Sequence, residues 1–297
     1  MSPSVSGLVV VDKPGGMTSH DVVARARRAL GTRKVGHAGT LDPMATGVLV
    51  LGVERATRLL GHLALRDKEY LATMRFGVST VSDDADGEVR AIADAAAVQA
   101  LDSADLADAL SRQVGTIQQR PSAVSAIKVA GRRAYDLVRE GADVDLPART
   151  VVVSAIDILG ERWEPGWVDV DVRVECSTGT YIRAIARDAG EFVGVGAHLT
   201  ALRRTRVGPF TVAESIDCDE LSRRGSEAVL PMPVVAQSCF PRWVVGDADA
   251  DAVRHGRRIA WAGPSGSEPV AVVDAAGEFL ALAEDADGRA SYLAVFA

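Results

Sequence analysis

Asp42 is the residue whose surroundings most invite chemistry. It stands between Leu41 and Pro43 in the run Gly36-His37-Ala38-Gly39-Thr40-Leu41-Asp42-Pro43-Met44-Ala45-Thr46-Gly47. Proline excludes the helical region for the residue before it, and glycine allows tight turns and close approach of another molecule to the backbone. No acidic residue occurs between Asp21 and Asp42, whereas Arg25, Arg27, Arg28, Arg33, Lys34 and His37 all do. The pattern is a loop that sets one carboxylate beside cationic side chains. Three chemistries fit: a turn-forming Asp bonded to its own backbone, a metal ligand, or a catalytic carboxylate. The turn is the default reading, since Asp favours turns for that local reason. Metal ligation lacks a second Asp, Glu or His at ligand spacing. Catalysis needs a cation to keep the carboxylate ionised, and Arg183 or one of the N-terminal bases are the candidates.

The elements that must position this loop follow from periodicity. Residues 18–30 place Val22, Val23, Ala26, Ala29 and Leu30 at helical spacing, with Thr18 or Ser19 as N-cap and Gly31 past the end. Residues 48–53 and 69–78 read as strands, the latter followed by an acidic turn. A helix is expected over 102–114, a strand over 126–129, a short helix over 132–140, and strands over 151–159 and 168–176. In the last of these, valines alternate with charged residues, as in a sheet with one dry face. The turn 177–180 leads into a helix over 181–193 with a buried stripe of Ile182, Ile185, Ala186, Ala189, Phe192 and Val193, so Tyr181 and Arg183 sit at a strand-to-helix corner. A turn-rich patch over 231–241 ends the main domain, and strands over 270–273, 279–283 and 292–296 form a small β module. Strands and helices mixed in this order give an α+β fold with a mainly antiparallel sheet.

The chain as a whole bounds what this loop serves. Its 297 residues can bury a sizeable core, and 47% hydrophobic with only 5% aromatic composition makes that core aliphatic. The brief apolar run of residues 7–11 ends at Asp12-Lys13-Pro14, so neither a secretory signal nor a membrane span is expected, and the cytoplasm is the expected compartment. Cys176, Cys218 and Cys239 are widely spaced, which favours buried free thiols over zinc or disulfides. The net charge of -7 argues against a polyanionic partner, but the average hides a segregation. Residues 1–75 carry 11 Lys and Arg against 6 Asp and Glu, while residues 82–111 carry eight acids and only Arg90 as base. Taken singly, each charge run reads as a solvated surface.

The run from Gly7 through Asp12-Lys13-Pro14-Gly15-Gly16-Met17-Thr18-Ser19, followed by the Asp42 loop, resembles the TruB family of tRNA pseudouridine-55 synthases. Further matches follow in family order: Lys68-Glu69-Tyr70, Asp84-Ala85-Asp86-Gly87, the Pro121 to Lys128 segment, Ser177 to Arg183, and Gly196 to Arg204. The likeness spans roughly the first four fifths of the chain. It implies a pseudouridine synthase fold, with a mixed, mainly antiparallel central sheet flanked by helices and a small PUA-like C-terminal β module. The expected division is a catalytic domain over 1–238 and that module over 239–297.

The resemblance implies an enzyme that isomerises the T-arm uridine of tRNA to pseudouridine, as a monomer and without cofactor or metal. Asp42 would be the catalytic aspartate, paired with Arg183. A carboxylate can attack a sugar carbon or take up a proton as the glycosidic bond breaks. The uridine must be extruded from the folded RNA, at a cost of a few kcal/mol. Tyr70 would stack on the flipped base, Tyr181 would move the proton lost from C5, and Leu202 would line the same apolar pocket. His37 would hold the rearranged RNA loop and Asp84 would make a local contact. Lys128, Arg132, Arg133, Arg203, Arg204 and Arg206 would meet phosphates. Lys13 and Pro14 would brace the catalytic loop. Two other classes compete: a non-catalytic tRNA chaperone, which has no need of the Asp42, Tyr70, Tyr181 and Arg183 set, and a metal-dependent phosphohydrolase, which lacks a second aspartate for magnesium.

Overall fold

The computed structural model describes residues 5–122, 128–129, 132–133, 146–266 and 268–296. The chain folds as two compact units. One comprises Met1–Asp42, Val48–Ala64 and Val207–Ala297; the other comprises Pro43–Gly47 and Leu65–Arg206.

In the first unit the helix Ser19–Leu30 begins with a capping box. The Thr18 side chain accepts from the Asp21 N–H, and Asp21 accepts in return from the Thr18 N–H, which satisfies two of the helix's orphan donors. Gly31 ends it in the left-handed conformation, φ 63°. Val22, Val23 and Ala26 are buried as the periodicity requires, while Ala29 and Leu30 are half-buried. The strand Gly7–Lys13 pairs antiparallel with Leu230–Pro231, and Val35–His37 with Thr46–Val53. The patch expected as turns over 231–241 is instead a helix, Met232–Cys239. Its prolines stand before and within the first turn, where a missing N–H costs nothing.

The C-terminal sheet of this unit runs Arg242–Val244, Val270–Val273, Phe279–Ala286, Arg289–Val295; the first pair is parallel and the others antiparallel. It is apolar on both faces. One face makes its own cluster around Trp243, Val253, Val272 and Leu280. The other joins Leu8, Val10, Val48 and Val50 of the N-terminal strands through Phe240, Phe279 and Phe296, with ring centroids 6.4 Å and 4.7 Å apart.

The second unit is a sheet in the order Ala197–Val207, Lys68–Phe76, Trp167–Cys176, Arg149–Glu164, Gly115–Gln119. The last three junctions are antiparallel, and Arg203 and Arg204 pair in parallel with Thr46 and Gly47. Along Trp167–Cys176 burial alternates residue by residue: Val168, Val170, Val172, Val174 and Cys176 point inward. Burying each valine is worth about 1.5–3 kcal/mol. The outward residues form a polar ladder in which Arg75 makes two 2.7 Å bonds to Asp169, and the Thr73 hydroxyl donates to Asp171 at 2.6 Å. Helices Ser103–Ser111 and Ile182–Phe192 pack together with this sheet.

Two sequence expectations fail in this unit. Phe192 is not part of the buried stripe: it is 49% exposed, and the Arg112 guanidinium covers its ring at 4.2 Å from the centroid. Arg132–Arg133, expected to start a helix, is a strand paired antiparallel with Lys128–Val129; the rest of that expected helix lies outside the described residues. Among the described residues no helix is long and apolar enough to cross a membrane. All three cysteines are buried and none forms a disulfide.

Candidate active site

The Asp42 loop is fastened in the first unit by the side chain of the first residue of the helix Ser19–Leu30. Ser19, 1% exposed, accepts from the Leu41 N–H at 2.9 Å and donates to the Leu41 carbonyl at 3.1 Å. One hydroxyl thus satisfies both backbone groups of the residue before Asp42, which is half-buried and outside any regular element. His37 closes the short strand Val35–His37, and its ring meets that of His20 edge-on at 5.5 Å. Lys13 is fully buried and donates to the carbonyls of Pro14 and Met17 at 2.9 and 2.6 Å, fixing the turn that leads to the Thr18 cap. A cleft of about 630 Å³ at the end of the Ser19–Leu30 helix is lined by Arg27, Arg28, Gly31, Thr32 and Arg33. Arg27 is partly committed there, donating to the Val35 carbonyl at 2.9 Å.

The loop continues into the second unit. Gly47 has φ 102°, and a Cβ there would lie 2.1 Å from the Arg204 carbonyl oxygen, so only glycine fits. Beside it the Arg203 guanidinium donates to the Thr46 hydroxyl at 3.3 Å.

The remaining predicted residues lie in the second unit. Tyr70 is 7% exposed on the inward face of Lys68–Phe76, opposite Val174. Leu202, also 7% exposed, lies on Ala197–Val207. Tyr181 is the N-cap of Ile182–Phe192, with extended backbone and no side-chain cap. Arg183 follows in the first helical turn, where a cation is opposed by the helix dipole. Carboxylates of the acidic turn offset this. Arg183 pairs with Asp84 at 3.1 Å and donates to the Ser82 carbonyl at 2.8 Å. One turn on, Arg187 pairs with Asp83 at 3.2 Å. Residues i and i+4 share one helix face, so the two arginines meet the adjacent aspartates together, and Asp83 has a left-handed backbone, φ 60°.

The solvated reading of the acidic run is therefore wrong for its first two members: Asp83 and Asp84 are 8% and 4% exposed. The turn is also bonded to the sheet, since the Leu199 N–H donates to the Asp83 carbonyl at 3.0 Å. Asp84 further accepts from the Asp86 N–H at 3.1 Å and from the Ser82 hydroxyl. Arg204, expected at a phosphate, is 1% exposed and belongs to the interior. Arg206 is half-buried and reaches Glu175 at 3.5 Å. Lys128 is described only as part of its two-residue strand. Of the predicted set, the structure brings Asp84 and Arg183 into direct contact.

Two residues that sequence reasoning missed are Ser19 and Gln119, both of which bind backbone. Gln119 is fully buried; its amide oxygen accepts from the Tyr181 N–H at 2.8 Å and its amide nitrogen donates to the Tyr181 carbonyl at 3.1 Å. Lys68 is a further polar residue of the interior. Burial, and then the charge of Arg204, push its ammonium down to about 8 from the usual 10.5. Burial likewise raises the Cys176 thiol, its register partner, to about 11, which leaves it protonated and unreactive.

Residues 27–182 match the TruB family pseudouridylate synthase N-terminal domain, 183–229 the tRNA pseudouridylate synthase B C-terminal domain, and 240–297 the tRNA pseudouridine synthase II C-terminal domain. The chain is 52% identical over 292 residues to the tRNA pseudouridine synthase B of Rhodococcus jostii, covering 98% of this chain and 93% of that protein. It is 51% identical over 302 residues to that of Cutibacterium acnes, covering 99% of each. Among solved structures it is similar to a chain of a Cbf5-Nop10-Gar1 complex, with TM-score 0.71, 29% identity, and coverage of 98% of this chain and 83% of that one. A chain of an H/ACA RNP bound to a substrate RNA containing 2'-deoxyuridine matches with TM-score 0.70, 26% identity, and coverage of 99% and 89%. The mixed sheet, its flanking helices and the small C-terminal sheet are thus those of the pseudouridine synthases, and the chain belongs to the TruB family of pseudouridylate synthases.

Proposed function

We propose that this protein is a tRNA pseudouridine synthase acting on the T-arm uridine, with Asp42 as its catalytic carboxylate. The observation that carries the reading is likeness over nearly the full length, at about half identity, to proteins named for that activity, with Asp42 inside the matched N-terminal domain. In the reaction the N1–C1′ bond breaks, a C5–C1′ bond forms, the C5 proton leaves and N1 gains one. Asp42 reacts as the glycosidic bond breaks, Tyr70 stacks on the extruded uracil, and Tyr181 receives the C5 proton. Arg183 supplies the counter-charge and Asp84 steadies it. Leu202 lines the base pocket, His37 holds the displaced loop, and Arg203, Lys128 and the arginine cleft take RNA phosphates. The catalytic domain spans residues 1–238 and the accessory module 239–297. The enzyme works in the cytoplasm as a monomer without a metal.

The test is Asp42→Asn assayed on T-arm transcripts carrying tritium at uridine C5. Loss of tritium release with tRNA binding kept within about twofold is expected, since a neutral isostere removes the reacting charge and little else. Continued release at the wild-type rate refutes the role of Asp42. Activity abolished by EDTA refutes the metal-free reading.

A further inference from the structure

We propose that Gln119 is a positioning residue for the proton transfer, acting by fixing the backbone of Tyr181; this rests on the role given to Tyr181 above. Three observations carry it. The amide is fully buried at the end of the strand Gly115–Gln119, and both of its polar atoms go to one residue, 62 positions away, at 2.8 and 3.1 Å. Its orientation is forced, because a backbone N–H can meet only the amide oxygen and a carbonyl only the amide nitrogen.

Tyr181 also needs such a partner. As an N-cap without a side-chain cap it stands where the chain leaves the turn for the helix, with φ -101° and ψ 107°. Its carbonyl already accepts the first helical bond, from the Ile185 N–H at 3.2 Å. Its N–H faces away from the helix ladder and is met by Gln119. The turn before it is held separately: the Thr180 hydroxyl donates to the Ser177 carbonyl at 3.0 Å, and the Ser177 N–H to the Val152 carbonyl at 2.8 Å. After it, Arg187 donates to the Arg120 carbonyl at 2.8 Å, so adjacent residues 119 and 120 tie the corner and the next helical turn to one strand end. With the backbone held on three sides, the Cα–Cβ direction from which the Tyr181 side chain departs is fixed, and only its rotamer is left to choose. A shift of that Cα by about 1 Å can cost roughly 100-fold in rate.

The experiment compares Gln119→Met, which removes both polar atoms at similar length, with Gln119→Glu, which keeps the acceptor for the Tyr181 N–H and loses the donor. Each is assayed for single-turnover pseudouridine formation, tRNA affinity and thermal unfolding, on transcripts with protium or deuterium at the target C5. Gln119→Met is expected to be about 10- to 100-fold slower with affinity unchanged and a larger deuterium isotope effect, since only the C5 proton transfer is impaired. Gln119→Glu is expected to fall between it and wild type, and it serves as the folded variant if Gln119→Met does not fold. A wild-type rate in either folded variant, or a slower rate with an unchanged isotope effect, overturns the proposal. Tyr181→Phe separates the two failures. If it keeps the wild-type rate, the assignment of Tyr181 fails; if it is slow while Gln119→Met is normal, only the positioning role fails.

Discussion

The Asp42 loop and the Tyr181 corner use the same device in different electrostatic settings. Each has a buried side chain that satisfies both backbone groups of one residue, Ser19 for Leu41 and Gln119 for Tyr181. At the loop the clamp itself, the Ser19 hydroxyl, is neutral, and Asp42 is half-buried. At the corner the fixing groups include charges, the buried pair Arg183 with Asp84 and the half-buried Arg187 with buried Asp83. A neutral clamp can be lost at the cost of one or two hydrogen bonds, whereas a buried charge must be matched by its partner. The two regions should therefore fail differently when damaged.

The largest effect is expected at the corner. Arg183→Met leaves Asp84 buried without its cation, and removing one partner of a buried pair costs about 3–5 kcal/mol. The double variant Arg183→Met with Asp84→Leu should recover part of that loss. Urea denaturation of the double variant and of both single variants, Arg183→Met and Asp84→Leu, measures this, and losses that simply add would show that the pair is not coupled. Ser19→Ala should cost less, about 1–3 kcal/mol for the unsatisfied Leu41 groups, and lower activity without altering the pH dependence of stability. A loss as large as that of Arg183→Met would erase the contrast between the regions.

The smallest effect per unit of pH is a stability gradient carried by Lys68. Its ammonium is held at about 8 in the fold and returns to 10.5 on unfolding. Below about pH 8 both states are protonated and the fold bears the full cost of burying the charge. Between about 8 and 10.5 only the unfolded chain holds the proton, so stability gains with rising pH. Lys68→Met should remove that gain, read as the difference between variant and wild type in urea titrations across this window. A difference that does not change with pH would place Lys68 in water.

Much of this architecture was legible in the sequence. The Ser19–Leu30 helix carries its own boundaries in Thr18, Asp21 and Gly31, and Trp167–Cys176 carries its two faces in alternating valines. What escaped was interaction between distant segments. Asp83 and Asp84 look like a solvated run until Arg183 and Arg187 arrive from a helix about a hundred residues later. Phe192 fits an apolar stripe, yet Arg112 covers it from another helix. Ser19 and Gln119 bind backbone, which any residue but proline at positions 41 or 181 would offer, so no pattern of residue types marks them. Arg204 shows the reverse error, since a cation in a basic motif is read as surface although its side chain is enclosed.

The division of the chain has a consequence for its birth on the ribosome. The second unit is nearly continuous, Leu65–Arg206 with only Pro43–Gly47 from upstream, whereas the first joins its N-terminal strands to Val207–Ala297. Leu8, Val10, Val48 and Val50 therefore emerge early and wait for Phe240, Phe279 and Phe296 before their shared core can close. At roughly 5–20 residues per second that delay is on the order of ten seconds or more. During it a nascent chain exposes a finished inner segment flanked by sticky, unmatched valine strands, the stage at which a chaperone has most to do.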